Sequence, residues 1–241
     1  EDKNQNFLVA GDARIKHFDG ESVSLLELPS PSLTKLPMAF FGEKLIVGFN
    51  DSLISFPLED SSSRNKQRGN INLSLVEIPF WINRECIDPK HGRLGKNVLG
   101  LSIGPITSII VIEDKLIVGS KDCVYCPILN SAFKESGLLV RHLGGVLCME
   151  EVDKQLATGS EDSTIRLWDL KSLQTVLVIM STSPVCSLTY RTVGDNQFLL
   201  STDNTNKIIC WELKTKKFLT EFRPDDNGAI IAIQMSQDGA R

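Results

Sequence analysis

The chain has 241 residues, of which 41% are hydrophobic and 23% charged, with a formal net charge of −4. That balance is ordinary for a globular fold and excludes a generally cationic surface for nucleic acid or acidic lipid. No apolar run reaches the roughly 18 residues needed to cross a bilayer, and no signal peptide opens the chain.

The chain begins with Glu1 rather than Met, as expected of an excised piece. The six cysteines, at positions 86, 123, 126, 148, 186 and 210, are scattered, mostly in apolar strand-like runs. Scattered thiols of this kind suit a reducing compartment, so an intracellular location is expected, cytoplasmic or nuclear.

Taken in chain order, the first predicted elements are three short strands at 7–11, 14–18 and 23–28. The first two follow a pattern: an apolar pair, a small residue, a polar turn, then an alternating apolar run. The pattern recurs at 44–58, 115–129, 155–170 and 197–213. Its small residue falls at Gly11, Gly48, Gly119, Gly159 and Ser201, with spacings of 37, 71, 40 and 42. A near-constant period of about 40 residues marks a repeat architecture. The one long spacing is a repeat plus an insertion.

The insertion covers 59–96. It opens with EDSSSRNKQRGN, polar and without apolar anchors, expected to be a mobile loop. It continues as NLSLVEIPFWI at 72–82, apolar enough for an extra strand, and ends in a stretch holding Lys90, His91, Arg93 and Lys96. The fourth strand of the second repeat is placed at 97–103; the alternative puts it at 72–80. Phe80 and Trp81 would serve as partner anchors if exposed, or tuck onto the repeat if the insertion is only a solvated loop. Lys90 and Arg93 are candidate partner contacts.

Each later hairpin is flanked by further apolar segments. PITSIIVIE (105–113) and GLLVRHL (137–143) flank the third. GVLCMEEV (145–152) and QTVLVIM (174–180) flank the fourth, and PVCSLTY (184–190) and KFLTEFR (217–223) the fifth. One unit is therefore four strands in about forty residues. A sheet this short cannot bury both faces alone, and stacking units around an axis solves that. The segment 228–239 is expected to be the first strand of a blade completed by the N-terminal strands.

The most specific stretch is 141–170, with His142, Val146, Gly159, Ser160, Asp162, Ile165, Trp168 and Asp169 in order. On these residues the chain resembles the WD40-repeat β-propeller family, and the likeness covers most of its length. The resemblance implies an all-β fold of four-stranded antiparallel blades, about five in this chain, as a small ring or as part of a seven-bladed one. Residues 1–241 then form a single propeller domain or a fragment of one. It also implies a hydrogen-bonded tetrad of His142, Asp162, Trp168 and a hydroxyl, Ser160 or alternatively Thr158. Its role would be structural. The fifth repeat keeps Trp211 but has no matching His, and the others are more degenerate.

Catalytic and metal motifs are absent from the sequence. Cys123 and Cys126 have a metal-like spacing, but an odd offset in a strand points them to opposite faces. No H-E-x-x-H, G-x-S-x-G or P-loop pattern occurs. No enzyme activity, cofactor or small-molecule substrate is expected. The resemblance implies instead a scaffold holding proteins or peptides at its rim, and turn placement puts Phe49, Asn50, Lys121, Glu161 and Asn204 there as expected rim positions. One alternative is a ubiquitin-ligase substrate receptor, with WDLK at 168–171 and WELK at 211–214 in place of the family's Trp-Asp-x-Arg. The other is an RNA-processing or ribosome-assembly subunit, which the acidic balance does not favour.

Overall fold

The structure, a computed structural model, describes residues 7–11, 14–18, 23–27, 36–42, 44–49, 52–57, 105–121, 125–130, 135–224, 230 and 233–235. All regular structure among them is antiparallel β, in five sheets. The first holds β1 (Phe7–Gly11), β2 (Arg14–Phe18) and β3 (Val23–Glu27). The second holds β4 (Met38–Phe41), β5 (Lys44–Phe49) and β6 (Ser52–Pro57). The third is four-stranded: β7 (Ile106–Ile112), β8 (Lys115–Ser120), β9 (Tyr125–Leu129) and β10 (Glu135–Val140). The fourth is β11 (Val146–Val152), β12 (Gln155–Ser160), β13 (Thr164–Asp169) and β14 (Gln174–Met180). The fifth is β15 (Val185–Val193), β16 (Asn196–Asp203), β17 (Ile208–Glu212) and β18 (Lys217–Phe222).

In every sheet the strands pair in chain order. Short turns force this meander, and their backbones repeat. Ser163 and Asn206 take positive φ (62° and 60°) at matching places after the second strand, and Leu173 and Lys216 (58° and 56°) do so after the third. The first strands of the third, fourth and fifth sheets are each bulged at the same point, after Ile106, Val146 and Val185.

The second to fifth sheets stack face to face in chain order, with an apolar layer at each junction. Ile46, Leu53 and Phe41 meet Ile106, Leu116 and Val118. Ile117, Ile128 and Leu139 meet Val146, Leu156 and Trp168. Ala157, Ile165 and Leu167 meet Val185, Leu188 and Leu199. The second strand of a sheet therefore has neighbours on both faces. This explains why KLIVGS (β8) and QLATGS (β12) are buried at five of six positions, whereas all six residues of β18 are exposed.

The repeated glycine is a point of close approach between consecutive sheets. A β-carbon on Gly48 would stand 2.7 Å from Ile106 Cγ2, and one on Gly119 3.2 Å from Val146 Cγ1. On Gly159 it would be 2.6 Å from both Val185 Cγ1 and Cys148 Sγ. The branched residue that opens each new sheet thus presses on the bare backbone of the sheet before it. Further bonds tie the same sheets: Thr107 Oγ1 donates to the Val146 carbonyl, and Cys148 Sγ to that of Val185 at 3.5 Å.

Two expectations change here. The register pairs Leu156 with Trp168 and Leu199 with Trp211, so Ser201 matches Thr158, and Thr202 matches Gly159. The fifth sheet has no small residue at the glycine position; its second strand is offset by one from the sequence alignment. The expected strand at 228–239 is only partly described, and Ile230 and residues 233–235 carry no strand assignment. They still lie against the fifth sheet: Ile230 N–H donates to Asn206 Oδ1 at 3.0 Å and Ile233 N–H to Ser187 Oγ at 3.4 Å. The insertion, the fourth strand of the second repeat and Cys123 lie outside the described residues.

Gly159→Ala is expected to lower the unfolding free energy by about 1–3 kcal/mol through overpacking. Adding Val185→Ala should cost less than it does alone, because the two side chains compete for one space. Equilibrium denaturation of the four proteins of this cycle measures both effects.

Candidate functional site

Polar side chains gather most densely at the end of the fourth sheet where β12 turns into β13. His142 precedes β11 and is buried, with its side chain 1% exposed. Its Nδ1 lies 2.9 Å from Asp162 Oδ2 and its Nε2 2.7 Å from Thr158 Oγ1. Trp168 Nε1–H donates to the same Thr158 oxygen at 2.8 Å. The pattern is consistent if Nδ1–H donates to the carboxylate and the Thr158 hydroxyl donates to Nε2. Trp168 itself is 1% exposed and meets the His142 ring edge-on, with centroids 6.1 Å apart.

Asp162 is saturated from its own turn as well. Its Oδ1 accepts from Thr164 N–H at 2.9 Å and from Thr164 Oγ1 at 2.6 Å, and Oδ2 also accepts from Leu143 N–H at 2.8 Å. Burial opposes its ionisation, but the bonds from His142, Thr164 and Leu143 outweigh burial and hold the carboxyl well below the usual carboxylate range.

The structure thus brings His142, Asp162 and Trp168 together with Thr158, and places Ser160 outside the relay. Ser160 Oγ donates to the Gly144 carbonyl at 3.1 Å and accepts from Asp162 N–H at 3.1 Å. Residues 158 and 160 point to the same face, so parity could not separate them. The deciding fact is lateral: Trp168 pairs with Leu156 and its indole reaches up one rung. Thr164 and the Leu143 amide were missed, although a hydroxyl two residues after a turn Asp is a recognisable local partner. In the fifth sheet the imidazole link is missing: Trp211 Nε1–H donates to Ser201 Oγ at 3.0 Å, and separately Asp203 Oδ1 accepts from Thr205 N–H at 2.9 Å and Thr205 Oγ1 at 2.7 Å.

Of the expected partner residues, Phe80, Trp81, Lys90, Arg93 and Asn50 lie outside the described residues, and Phe49 is described only as part of β5. Lys121, Glu161 and Asn204 are exposed, each at the first turn after the second strand of its sheet. The backbone brings Lys121 and Glu161 to one rim. Gly145 sits so close to the Lys121 carbonyl that a β-carbon would be 1.7 Å from its oxygen, and the Gly145 carbonyl accepts Glu161 N–H at 2.9 Å.

At the opposite end, an open cleft of about 500 Å³ is lined by Glu151, Asp153, Lys154 and Tyr190. It joins two repeats, so no local signal could announce it. The Trp-Asp-Leu-Lys motif serves its own turn: Asp169 Oδ1 accepts Lys171 N–H at 2.8 Å. Lys214 of the second motif donates to the Asp195 carbonyl. Among the described residues no three His, Cys, Asp or Glu stand close enough to hold a metal ion.

Residues 134–169 match the family model "WD domain, G-beta repeat". A chain of a solved structure titled "Crystal Structure of Mitotic Checkpoint Complex" matches over 93% of this chain and 62% of its own, with a TM-score of 0.64 and 16% identity. Residues 134–169 thus form a WD40 repeat, and the chain as a whole is similar to WD40-repeat proteins. The structural likeness, at that identity, establishes the propeller fold alone. "WD repeat-containing protein pop1" of Schizosaccharomyces pombe is 30% identical over 57% of this chain and 16% of its own length. "Target of rapamycin complex subunit wat1" of the same organism is 31% identical over 36% of this chain. The chain spans 16% and 27% of those two relatives. The matched repeat contains the His142–Thr158–Asp162–Trp168 network, so the residues that fit the WD40 pattern best are those whose polar groups satisfy one another.

Trp168→Ala is expected to destabilise the chain by about 3–5 kcal/mol. Thr158→Val should cost about 1–3 kcal/mol by leaving two buried groups unpaired, against about 1 for Ser160→Ala. Only the Thr158 change should shift the Trp168 indole N–H resonance.

The depressed carboxyl of Asp162 gives a second test. Its stabilisation is complete above the ordinary carboxylate pKa of about 3.9 and is lost as pH falls below that, through the folded-state value. Asp162→Asn should therefore unfold more easily at neutral pH and show a flatter loss of stability below about pH 4. Unfolding midpoints across pH 2–7 for both proteins measure the difference.

Proposed function

We propose that this chain is a non-catalytic scaffold that holds protein partners at the rim of a WD40 propeller inside the cell. The observation that carries the reading is the division of polar groups. The side chains with catalytic potential, His142 and Asp162, are buried and consumed by structural bonds. Lys121, Glu161 and Asn204 stand exposed on turns of a rigid frame, where binding residues concentrate. One relative, named a complex subunit, supports the same class of role. Among the described residues Cys186 and Cys210 are free thiols, which suits a reducing compartment, cytoplasm or nucleus.

Affinity purification with mass spectrometry tests this, comparing the unaltered chain with the double variant Lys121→Glu, Glu161→Lys and with a chain lacking 60–96. The charge reversal is expected to remove specific partners while the fold persists. Full retention of every partner by both altered chains would sink the rim reading. Recovery of a cullin adaptor would favour a ubiquitin-ligase receptor, and RNA retention independent of residues 90–96 would leave the basic stretch without a role.

A further inference from the structure

β14 is the outer edge of the fourth sheet, and among the described residues nothing pairs with its free side. Its sequence, QTVLVIM, is seven residues of high β-propensity with no charge and no proline. Natural edge strands are usually protected from further pairing by charge, proline or a covering element. β18, its counterpart in the fifth sheet, has such protection: Lys217 and Glu221 lie within it, and Glu221 is paired with Lys207 at 3.1 Å. β14 alternates regularly, and its outward residues Val176, Val178 and Met180 are 47%, 42% and 68% exposed.

The surroundings of this apolar strip are cationic. Arg166 lies directly opposite Val178 in β13, on the same face. Its Nε is buried and finds no hydrogen-bond partner among the described residues. Burial disfavours its charge, Asp162 offsets part of this, and the nearby charge of Arg141 adds to the strain. Arg141 is exposed, next to His142 and Leu143, and Leu143 is itself 75% exposed. Lys171 lies exposed at the other end of β14, where Asp169 is turned onto the Lys171 and Ser172 amides.

We infer that β14 is a docking edge at which an extended acidic–apolar segment of another protein adds as a fifth strand, its carboxylates meeting Arg141 and Arg166. Main-chain bonds to the free edge would supply affinity and the alternating side chains specificity. A second copy of this chain is a poorer occupant. Antiparallel pairing of two β14 strands would bring Lys171 of one toward Arg141 and Arg166 of the other, and like charges across an interface disfavour that arrangement. The inference rests on the scaffold reading but concerns a different surface from the rim.

Fluorescence anisotropy tests it directly with a labelled synthetic peptide of alternating valine and glutamate, added to the full 241-residue chain. Saturable binding is expected, at least about ten-fold tighter than for a valine–lysine peptide of the same length. Val178→Lys should weaken it about ten-fold or more and Arg141→Glu about five-fold, while Leu219→Lys on β18 should leave it unchanged. Arg141 is exposed, so its variant decides the matter if Val178→Lys unfolds. Equal binding of the two peptides, or wild-type affinity in Arg141→Glu and in a folded Val178→Lys, overturns the inference. So does a dimer in sedimentation that Val178→Lys abolishes, which would make a second copy the occupant. Lys121→Glu, Glu161→Lys should keep peptide binding, so failure at β14 and failure at the rim are read separately.

Discussion

A β-carbon at Gly48, Gly119 or Gly159 would push neighbouring side chains aside, and the stacking of the sheets depends on its absence. At each point the branched residue that opens the next sheet rests against backbone. A four-stranded sheet of about forty residues has little core of its own; its stability comes from the apolar layers shared with its neighbours. Those layers form only if the inner strands approach closely. The glycine is thus a spacing element, and its recurrence reflects the distance between sheets more than any local turn.

The fourth sheet adds a second constraint. Its inner end encloses an imidazole, a carboxylate, an indole N–H and two threonine hydroxyls. Each would be costly to bury alone, and together they leave no donor or acceptor of the relay unmet. The turn that carries Glu161 is therefore held from beneath by Asp162 and from the side by Gly145. A rim residue on such a turn presents its side chain from a fixed backbone, the useful property of a scaffold.

Much of this was legible because apolar periodicity and turn chemistry are local. The strands β1 to β3 and the three four-stranded units follow from alternation and spacing alone. What could not be read depends on lateral geometry. Thr158 and Ser160 share a face and a chemical type, and only the rung reached by the Trp168 indole distinguishes them. The fifth repeat aligns by its small residue at Ser201, yet cross-strand pairing shifts the equivalence to Thr202. The cleft at Tyr190 and the cationic border of β14 are likewise assembled from residues distant in the chain.

The unequal wiring of the repeats has a kinetic consequence. The fourth sheet is joined by a full relay and clamped by glycine contacts on both its junctions, whereas the fifth keeps an indole bond and an Asp203–Thr205 turn with no imidazole between them, and carries Thr202 where a glycine would sit. Local opening in a stacked array begins where neighbour terms are smallest. Amide exchange should therefore spread inward from β17 and β18 and reach β12 last, so that the molecule frays from one seam while the sheet bearing the best-defined repeat persists as its most protected unit.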